Sequence, residues 1–224
     1  MATLILIRHG RSTANTAGVL AGRSAGISLD DTGRRQAEEA GTRLQRLTLA
    51  RLVSSPLLRC QQTAQAVAAY QREDLPRLEE DGLTEGDYGQ WQGRSLKDLT
   101  AEPLWSQVQR QPSAVTFPGG ESLRAMQARA VEAVRRHDAE VEATHGPKAV
   151  WALVSHGDII ASTLAEACGM HLDHYQRLQV FPGSVSIVRY TPERPAVLAL
   201  NTAGGDLTWL EAPTPGTQPG GSAP

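Results

Sequence analysis

Two histidines in the sequence each follow an apolar run of strand length and precede a glycine. The runs span residues 3–7 and 149–154, and the histidines are His9 and His156. Nearly uninterrupted apolar runs are typical of strands buried on both faces of a sheet, and open α/β sheets bind ligands beyond the carboxyl ends of their strands. We therefore expect both imidazoles at the sheet edge where chemistry takes place.

The residues around the first histidine suit an anionic ligand. Arg8 precedes His9, and two hydroxyl side chains and Asn15 follow within about one helical turn. A guanidinium, hydroxyls, an amide and a helix N-terminus together favour phosphate. A further arginine, Arg59, falls in the first turn of a helix that we expect to begin at Pro56. Taken alone, Arg59 is equally well a solvated surface side chain.

Composition excludes several classes of partner. The 22 Lys and Arg residues nearly balance 24 Asp and Glu residues, so no global basic field is present to hold a nucleic acid. The apolar runs are far shorter than the roughly 20 residues that cross a bilayer, and no export-signal pattern precedes them. Only Cys60 and Cys168 are present, which favours two reduced thiols. We expect a cytoplasmic protein without nucleic-acid or membrane partners.

Apolar runs of strand length alternate with segments of helical period, and this alternation predicts an α/β fold. Small and apolar residues recur at helical spacing over residues 37–47 and again over 123–141, the second helix ending near a Gly-Pro stop at 146–147. Further strands are expected at residues 184–190 and 196–200. We predict a single domain over residues 1–210 and a disordered, Pro/Gly-rich tail over 211–224.

Several short motifs follow one another over residues 3 to about 190. They are Arg8-His9-Gly10 with Asn15, Gly22-Arg23, Leu29 with Gly33, Gln36 and Ala37, Ser54-Ser55-Pro56 with Arg59, Leu83-Thr84-Glu85 with Gly89, Trp91 and Gly93, Pro118-Gly119-Gly120-Glu121-Ser122, and Ser155-His156-Gly157. Their order resembles the histidine phosphatase superfamily, the phosphoglycerate mutase-like enzymes. The resemblance implies a three-layer sandwich in which helices flank a central, mostly parallel sheet, with the active site at the carboxyl ends of the strands.

The resemblance also implies roles for individual residues. His9 would be the nucleophile that forms a phosphohistidine, and Glu85 would protonate the leaving oxygen and then activate water. Without the family pattern, Glu85 would be interpreted as a surface carboxylate in an acidic segment. Arg8, Arg59 and His156 would complete the catalytic set by stabilising the phosphoryl group. The implied phosphate-binding residues are Arg8, Asn15, Gly22, Arg23, Arg59, His156 and Gly157. No metal and no cofactor is required by this scheme.

Metal chemistry is the first alternative to this interpretation. His9, His156, Glu85 and Asp158 are residue types that also suit a divalent ion. His171 and His174, three residues apart, could share a helix face and bind zinc, although the sequence shows no obvious third ligand.

The reaction and the substrate are less well specified. Residues 96–117 contain only Lys97 and Arg110 as cations, which favours hydrolysis of a small phosphorylated metabolite over a mutase that holds a bisphosphate. A phosphomutase, or a catalytically silent phosphate-binding module, remains the alternative. Arg11 could recruit an anionic tail of the substrate, whereas Asp158 could repel one or simply cap a helix. Dimers are common in the family, and a homodimer is left open.

Overall fold

The computed structural model describes residues 2–204, and within them one six-stranded sheet forms the middle layer. The sheet order is β3-β2-β4-β1-β5-β6; in chain order the strands are β1 (Thr3–Arg8), β2 (Leu49–Ser54), β3 (Arg77–Glu79), β4 (Val150–Ser155), β5 (Val185–Arg189) and β6 (Ala196–Thr202). The first four strands are parallel, whereas β5 is antiparallel to β1 and β6 is antiparallel to β5. The expected mostly parallel central sheet is confirmed.

Helices connect the strands and cover both faces of the sheet. In the described part of the chain the α-helices are α1 (Thr13–Ala17), α2 (Asp31–Leu44), α3 (Leu58–Ala68), α4 (Leu96–Leu99), α5 (Trp105–Arg110), α6 (Leu123–His145) and α7 (Gly157–Ala167). Short 3₁₀ helices lie at Asp81–Leu83, Gly89–Trp91, Pro112–Ala114 and Leu172–Arg177. Residues 96–117 are mainly helical, as predicted. None of the helices within residues 2–204 has the length and apolar character needed to cross a membrane.

The side chains of β1 explain why the fold has three layers. Successive residues of a strand point to opposite faces of its sheet. Leu4 and Leu6 join the core formed with α6 and α7, whereas Ile5 and Ile7 join the core formed with α2 and α3. Each of these four side chains is at most 1% exposed, and such burial contributes about 1.5–3 kcal/mol per side chain. An apolar run without alternation is therefore what this central strand requires.

Helix α3 begins later than the sequence predicted. The expected start was Pro56, but the backbone of Leu57 is still extended and the helix begins at Leu58. The reason is that Ser55 still belongs to the edge of the sheet, where its N–H donates to the carbonyl of Val154 over 3.0 Å. The chain then needs two residues to turn into the helix. Arg59 nevertheless lies in the first turn, as predicted.

The described residues do not reach the end of the chain. The predicted tail over 211–224, and residues 205–210 of the predicted domain, lie outside them.

Two glycines allow the start of α2 to lie directly against the chain that leaves β1. A Cβ atom at Gly33 would lie 1.9 Å from the carbonyl oxygen of Arg11, and one at Gly10 would lie 2.1 Å from the carbonyl oxygen of Gly33. Both contacts are with backbone, which cannot move aside as a flexible side chain could. This close approach places α2 against the loop that carries His9.

We predict that Gly33→Ala lowers the free energy of unfolding by about 1–3 kcal/mol, because the added methyl group forces the two backbone segments apart. Urea unfolding followed by circular dichroism measures the change. Glu39→Ala, on the exposed face of the same helix, is the control and should change stability by less than about 0.5 kcal/mol. Equal effects of the two substitutions would contradict this account of the helix contact.

Candidate active site

The two histidines meet because the strands that precede them are neighbours. β1 and β4 pair in parallel register, Arg8 opposite Ser155, and the N–H of His9 donates to the carbonyl of Ser155 over 3.0 Å. The two imidazole centroids lie 5.2 Å apart, in an edge-to-face arrangement. The structure thus brings His9 and His156 together at the carboxyl edge of the sheet.

His9 is held as a neutral imidazole whose Nε2 is unprotonated. Its Nδ1 lies 2.7 Å from the carbonyl oxygen of Gly10, so Nδ1 carries the proton and donates it, and Nε2 keeps its lone pair. Burial lowers the pKa of His9 well below its ordinary value, and the charges of Arg59 and Arg8 lower it further. A neutral Nε2 at this position is competent as a nucleophile.

Arg59 stands between the two imidazoles. Its Nε donates to Nε2 of His9 over 3.3 Å, and its Nη2 lies 3.1 Å from Nδ1 of His156. The same Nη2 donates to the carbonyl of Gly22 over 2.9 Å. Gly22 lines the pocket, and its predicted contact with phosphate stays a prediction. The side chain is buried. The guanidinium therefore faces the atom of His9 that would attack a phosphate.

His156 is also neutral in this structure. Nδ1 accepts from Arg59, so Nε2 carries the proton and donates to the hydroxyl of Ser55 over 2.8 Å. Burial lowers the pKa of His156 well below its ordinary value, with Arg59 the next largest cause. A proton on Nδ1, which would let His156 donate to a phosphate, therefore has to accompany binding of the anion.

Arg8 has an unused donor that points to a ligand. Its Nη1 donates to the carbonyl of Val180 over 2.5 Å, but its buried Nε has no hydrogen-bond partner within residues 2–204. Buried donors of this kind are rare unless a ligand completes them. Gly157 makes the position accessible, since a Cβ there would lie 3.3 Å from Cζ of Arg8. Arg8 is thus available for a charge-assisted bond to an anion.

Asn15 lines the pocket that also contains Arg8 and His9. Its backbone N–H and its side chain both hydrogen-bond to Ser12, the N-cap residue of α1. Its Oδ1 accepts from the N–H and the hydroxyl of Ser12 over 3.0 and 2.9 Å. These two bonds use the amide oxygen and leave the amide NH₂ as a donor.

Glu85 has the electrostatics of a general acid. Its carboxylate lies 3.9 Å from Nδ1 of His156 and accepts the N–H of Gly86 over 3.0 Å. Burial, followed by the charge of Asp158, raises the pKa of Glu85 to about 7. A carboxyl group with this pKa donates and accepts a proton readily near neutral pH.

Two arginines hold the backbone of Glu85. The Nε of Arg23 and the Nη2 of Arg129 donate to its carbonyl oxygen over 2.9 and 3.1 Å. Glu121 binds both guanidinium groups, at 3.0 Å from Nη2 of Arg23 and 2.6 Å from Nη2 of Arg129. Arg23 does not line the pocket, so its predicted contact with phosphate stays a prediction. Its observed contacts position the acid, and sequence reasoning missed Arg129.

The pocket in front of these groups has a volume of about 340 Å³. Tyr175, Gln176 and residues 178–180 line it beside Asp158, and no motif in the sequence indicated these residues. Asp158 does not cap α7, as one sequence interpretation had it: the N-cap residue is His156, and the carboxylate of Asp158 accepts the Tyr88 hydroxyl over 2.6 Å. We call this space, from Arg8 and His9 to Val180, the active-site pocket.

Two other predicted features lie away from the active-site pocket. The Nε of Arg11 is ion-paired with Asp30 at 2.7 Å, so Arg11 is not placed to recruit a substrate tail. His171 lies just before the 3₁₀ helix that contains His174, and its Nδ1 is 3.2 Å from the carboxylate of Asp173. Within residues 2–204, no group of three or more His, Cys, Asp or Glu side chains has a geometry that holds a metal ion.

The pKa of Glu85 generates a prediction about anion binding. Sulfate stays dianionic from pH 5 to 9, so its affinity reports titration of the protein. Below pH 7 Glu85 is protonated and does not repel the anion; above pH 7 it ionises. We predict that sulfate affinity, measured by calorimetry, falls more steeply above pH 7 than below it, the additional fall being up to about tenfold per pH unit. Glu85→Gln should remove this additional fall and leave the part due to proton uptake by His156, whereas Glu38→Gln, at an exposed position, should leave the whole profile unchanged.

Comparison with known proteins places this geometry in a family. A family model described as the histidine phosphatase superfamily (branch 1) matches residues 4–203. Phosphoserine phosphatase 1 of Hydrogenobacter thermophilus is 30% identical over 207 residues, which cover 90% of this chain and 92% of the relative. A 2,3-bisphosphoglycerate-dependent phosphoglycerate mutase of Mesorhizobium japonicum is 29% identical over 81% of this chain and 88% of its own.

A solved structure supports the same placement. The α-ribazole phosphatase of Shigella flexneri superimposes with a TM-score of 0.79 at 25% identity, covering 92% of this chain and 98% of the other. The fold and the family expected from the sequence motifs are confirmed by these matches. This chain belongs to the histidine phosphatase superfamily, branch 1.

Proposed function

We propose that this chain is a phosphomonoester hydrolase that acts on a small phosphorylated metabolite through a phosphohistidine at His9. The observation that carries the proposal is the neutral His9 imidazole, whose Nδ1 is held by the Gly10 carbonyl and whose Nε2 faces the Arg59 guanidinium. The matched relatives include named phosphatases and phosphoglycerate mutases, which supports a reaction that begins with transfer of a phosphoryl group to the enzyme.

The first half-reaction forms the phosphohistidine. Nε2 of His9 attacks phosphorus in line as the P–O bond to the alcohol breaks, and the leaving oxygen takes the proton of Glu85. Arg8, Arg59 and a protonated His156 donate to the phosphoryl oxygens and offset their negative charge. The buried, unpartnered Nε of Arg8 provides one of these donors.

The second half-reaction hydrolyses the phosphohistidine. Glu85, now a carboxylate, takes a proton from a water molecule as the water oxygen attacks phosphorus. The P–N bond breaks, inorganic phosphate leaves, and His9 returns to its neutral state with Glu85 protonated. A pKa of about 7 for Glu85 lets one group serve both steps. Arginine rather than lysine suits both phosphate contacts, since its planar fork binds two oxygens at once.

A phosphomutase is the second candidate, because the mutase from Mesorhizobium japonicum matches most of this chain. A mutase returns the phosphoryl group to a bound hydroxyl and needs cations that hold a bisphosphate. Residues 96–117, which pack beside the pocket through Leu96, contain only Lys97 and Arg110 as cations. This composition favours water as the acceptor.

The two unbonded cysteines bear on the compartment. Cys60 is buried and Cys168 is exposed, and neither forms a disulfide. Free thiols are typical of a reducing compartment, and we propose the cytoplasm on this ground. A homodimer stays a prediction.

The first test is phosphate release in the presence of EDTA from p-nitrophenyl phosphate and a panel of phosphomonoesters, with 3-phosphoglycerate assayed with and without its bisphosphate. We expect release by the wild type and loss of at least about 10³-fold in His9→Ala, because the nucleophile is gone. His145→Ala, which removes an exposed histidine, is the control. Isomerisation of 3-phosphoglycerate without net release would establish the mutase; release that survives in His9→Ala would refute the proposed intermediate.

The contacts of Arg23 and Arg129 with the Glu85 backbone, which Glu121 supports, lead to a second test. Glu121→Gln weakens the bonds to Arg23 and Arg129 and loosens the acid, so we predict a fall in kcat/KM of about 10–100-fold for an alkyl phosphate. The loss should be much smaller for 2,4-dinitrophenyl phosphate, whose leaving group needs no proton.

Two measurements separate positioning of the acid from general damage. Sulfate affinity should stay within about twofold of the wild type, because Arg8 and Arg59 do not contact Glu121, and a change above that would contradict the assignment. Glu132→Gln, exposed on α6, is the matched control. An equal loss for both leaving groups would show that Glu121 does not act through the acid.

A further inference from the structure

Two arginines and two acids are the charged side chains that line the active-site pocket within the described chain. The arginines are Arg8 and Arg59, beside His9, where we propose that the phosphoryl group binds. The acids are Glu85 and Asp158, and the charge of Asp158 interacts with that of Arg8. Once a phosphoryl group occupies the two arginines, the lining offers no further cation to the alcohol portion of a phosphomonoester.

Asp158 is a buried residue of the pocket lining whose carboxylate is held by hydrogen bonds. It is the second residue of α7, and its carboxylate accepts the hydroxyl of Tyr88 over 2.6 Å and hydrogen-bonds to Tyr175. Both tyrosines are buried, at 3% and 1% exposure. Their packing fixes the position of the carboxylate, so Asp158 cannot swing away when a substrate enters.

Apart from these arginines and acids, the pocket lining is uncharged. Leu20, Leu96 and Leu178 supply apolar surface, and Gln176 and Gln179 supply amides that hydrogen-bond without a net charge. A carboxylate or a second phosphate on the alcohol portion would lose water here and gain no cation in return. An uncharged or cationic alcohol portion would meet no such penalty.

We propose that Asp158 is a specificity-determining residue that restricts this enzyme to phosphomonoesters whose alcohol portion carries no second anionic group. The proposal rests on the proposed hydrolase function and narrows its substrate class. Phosphoserine, 3-phosphoglycerate and 2,3-bisphosphoglycerate all carry a carboxylate close to the phosphate. The substrate class assigned to this chain therefore differs from the substrates in the names of the phosphoserine phosphatase and the mutase that it resembles.

Matched substrate pairs test the proposal. Glycerol 3-phosphate and 3-phosphoglycerate differ by a hydroxymethyl group against a carboxylate, and phosphoethanolamine and phosphoserine differ by one carboxylate. We expect the wild type to prefer the member without the carboxylate by at least tenfold in kcat/KM. Where a member is not turned over, its inhibition constant against p-nitrophenyl phosphate hydrolysis gives the same ratio.

Asp158→Asn removes the charge but keeps the shape and an acceptor for Tyr88. We expect this substitution to bring the kcat/KM values of the two members of each pair to within about threefold of each other, because it raises kcat/KM for the member that carries the carboxylate. The substitution also removes a charge beside Glu85, but that effect is common to both members and cancels in the ratio. Asp98→Asn, at an exposed position on α4, should leave the ratios as in the wild type.

The outcomes separate this inference from the function on which it rests. Hydrolysis of p-nitrophenyl phosphate that depends on His9, together with pair ratios near one in the wild type, overturns the inference and keeps the function. Ratios that are large but unchanged in Asp158→Asn also overturn the role of Asp158. Absence of His9-dependent hydrolysis of every ester overturns the proposed function and the inference with it.

Discussion

The burial of the Arg59 guanidinium between two imidazoles is the interaction on which the site depends. The side chain is 2% exposed, and its hydrogen-bond partners are His9, His156 and the Gly22 carbonyl, none of which carries a negative charge. A buried cation whose hydrogen-bond partners are all neutral is unfavourable. The nearby acid Glu85 offsets the charge only in part, because its pKa is about 7. Burial keeps both imidazoles neutral, and the charge of Arg59 lowers the pKa of each further. A bound anion would offset the charge of Arg59, which is the physical basis of the phosphate site that we propose.

The register of the sheet fixes the positions of His9 and His156 relative to each other. Because β1 and β4 are adjacent and end at the same level, His9 and His156 cannot separate without breaking the bond from the His9 N–H to the Ser155 carbonyl. Ser55, which accepts the proton of His156, follows β2 on the other side of β4. Three neighbouring strands therefore supply His9, which is the proposed nucleophile, His156, and the hydroxyl that orients His156. Side chains on strand ends of a packed sheet are held more rigidly than side chains on free loops.

The central strands and the main helices could be predicted because local patterns in the sequence indicate them. The apolar runs before His9 and His156 indicated central strands and their carboxyl ends, and helical spacing indicated α2 and α6. The contacts of Glu85 are of another kind: Arg23 lies 62 residues before it and Arg129 lies 44 residues after it. No periodicity or spacing links such partners, because the tertiary fold alone brings them together. The family resemblance therefore predicted the role of Glu85, but the side chains that hold its backbone required the structure.

Asp158 was ambiguous in the sequence for a related reason. An acidic residue in the first turn of a helix is stabilised by the helix dipole wherever its side chain points, so position alone could not separate a helix cap from a residue that lines the pocket. The bonds to Tyr88 and Tyr175 settle where the carboxylate lies. They also place a carboxylate at the positive end of α7, beside Gly157, where we propose that the phosphate binds. On the proposed mechanism, recognition of the phosphoryl group then depends on Arg8 and Arg59, whereas the first turn of α7 contributes the negative charge of Asp158 to the pocket.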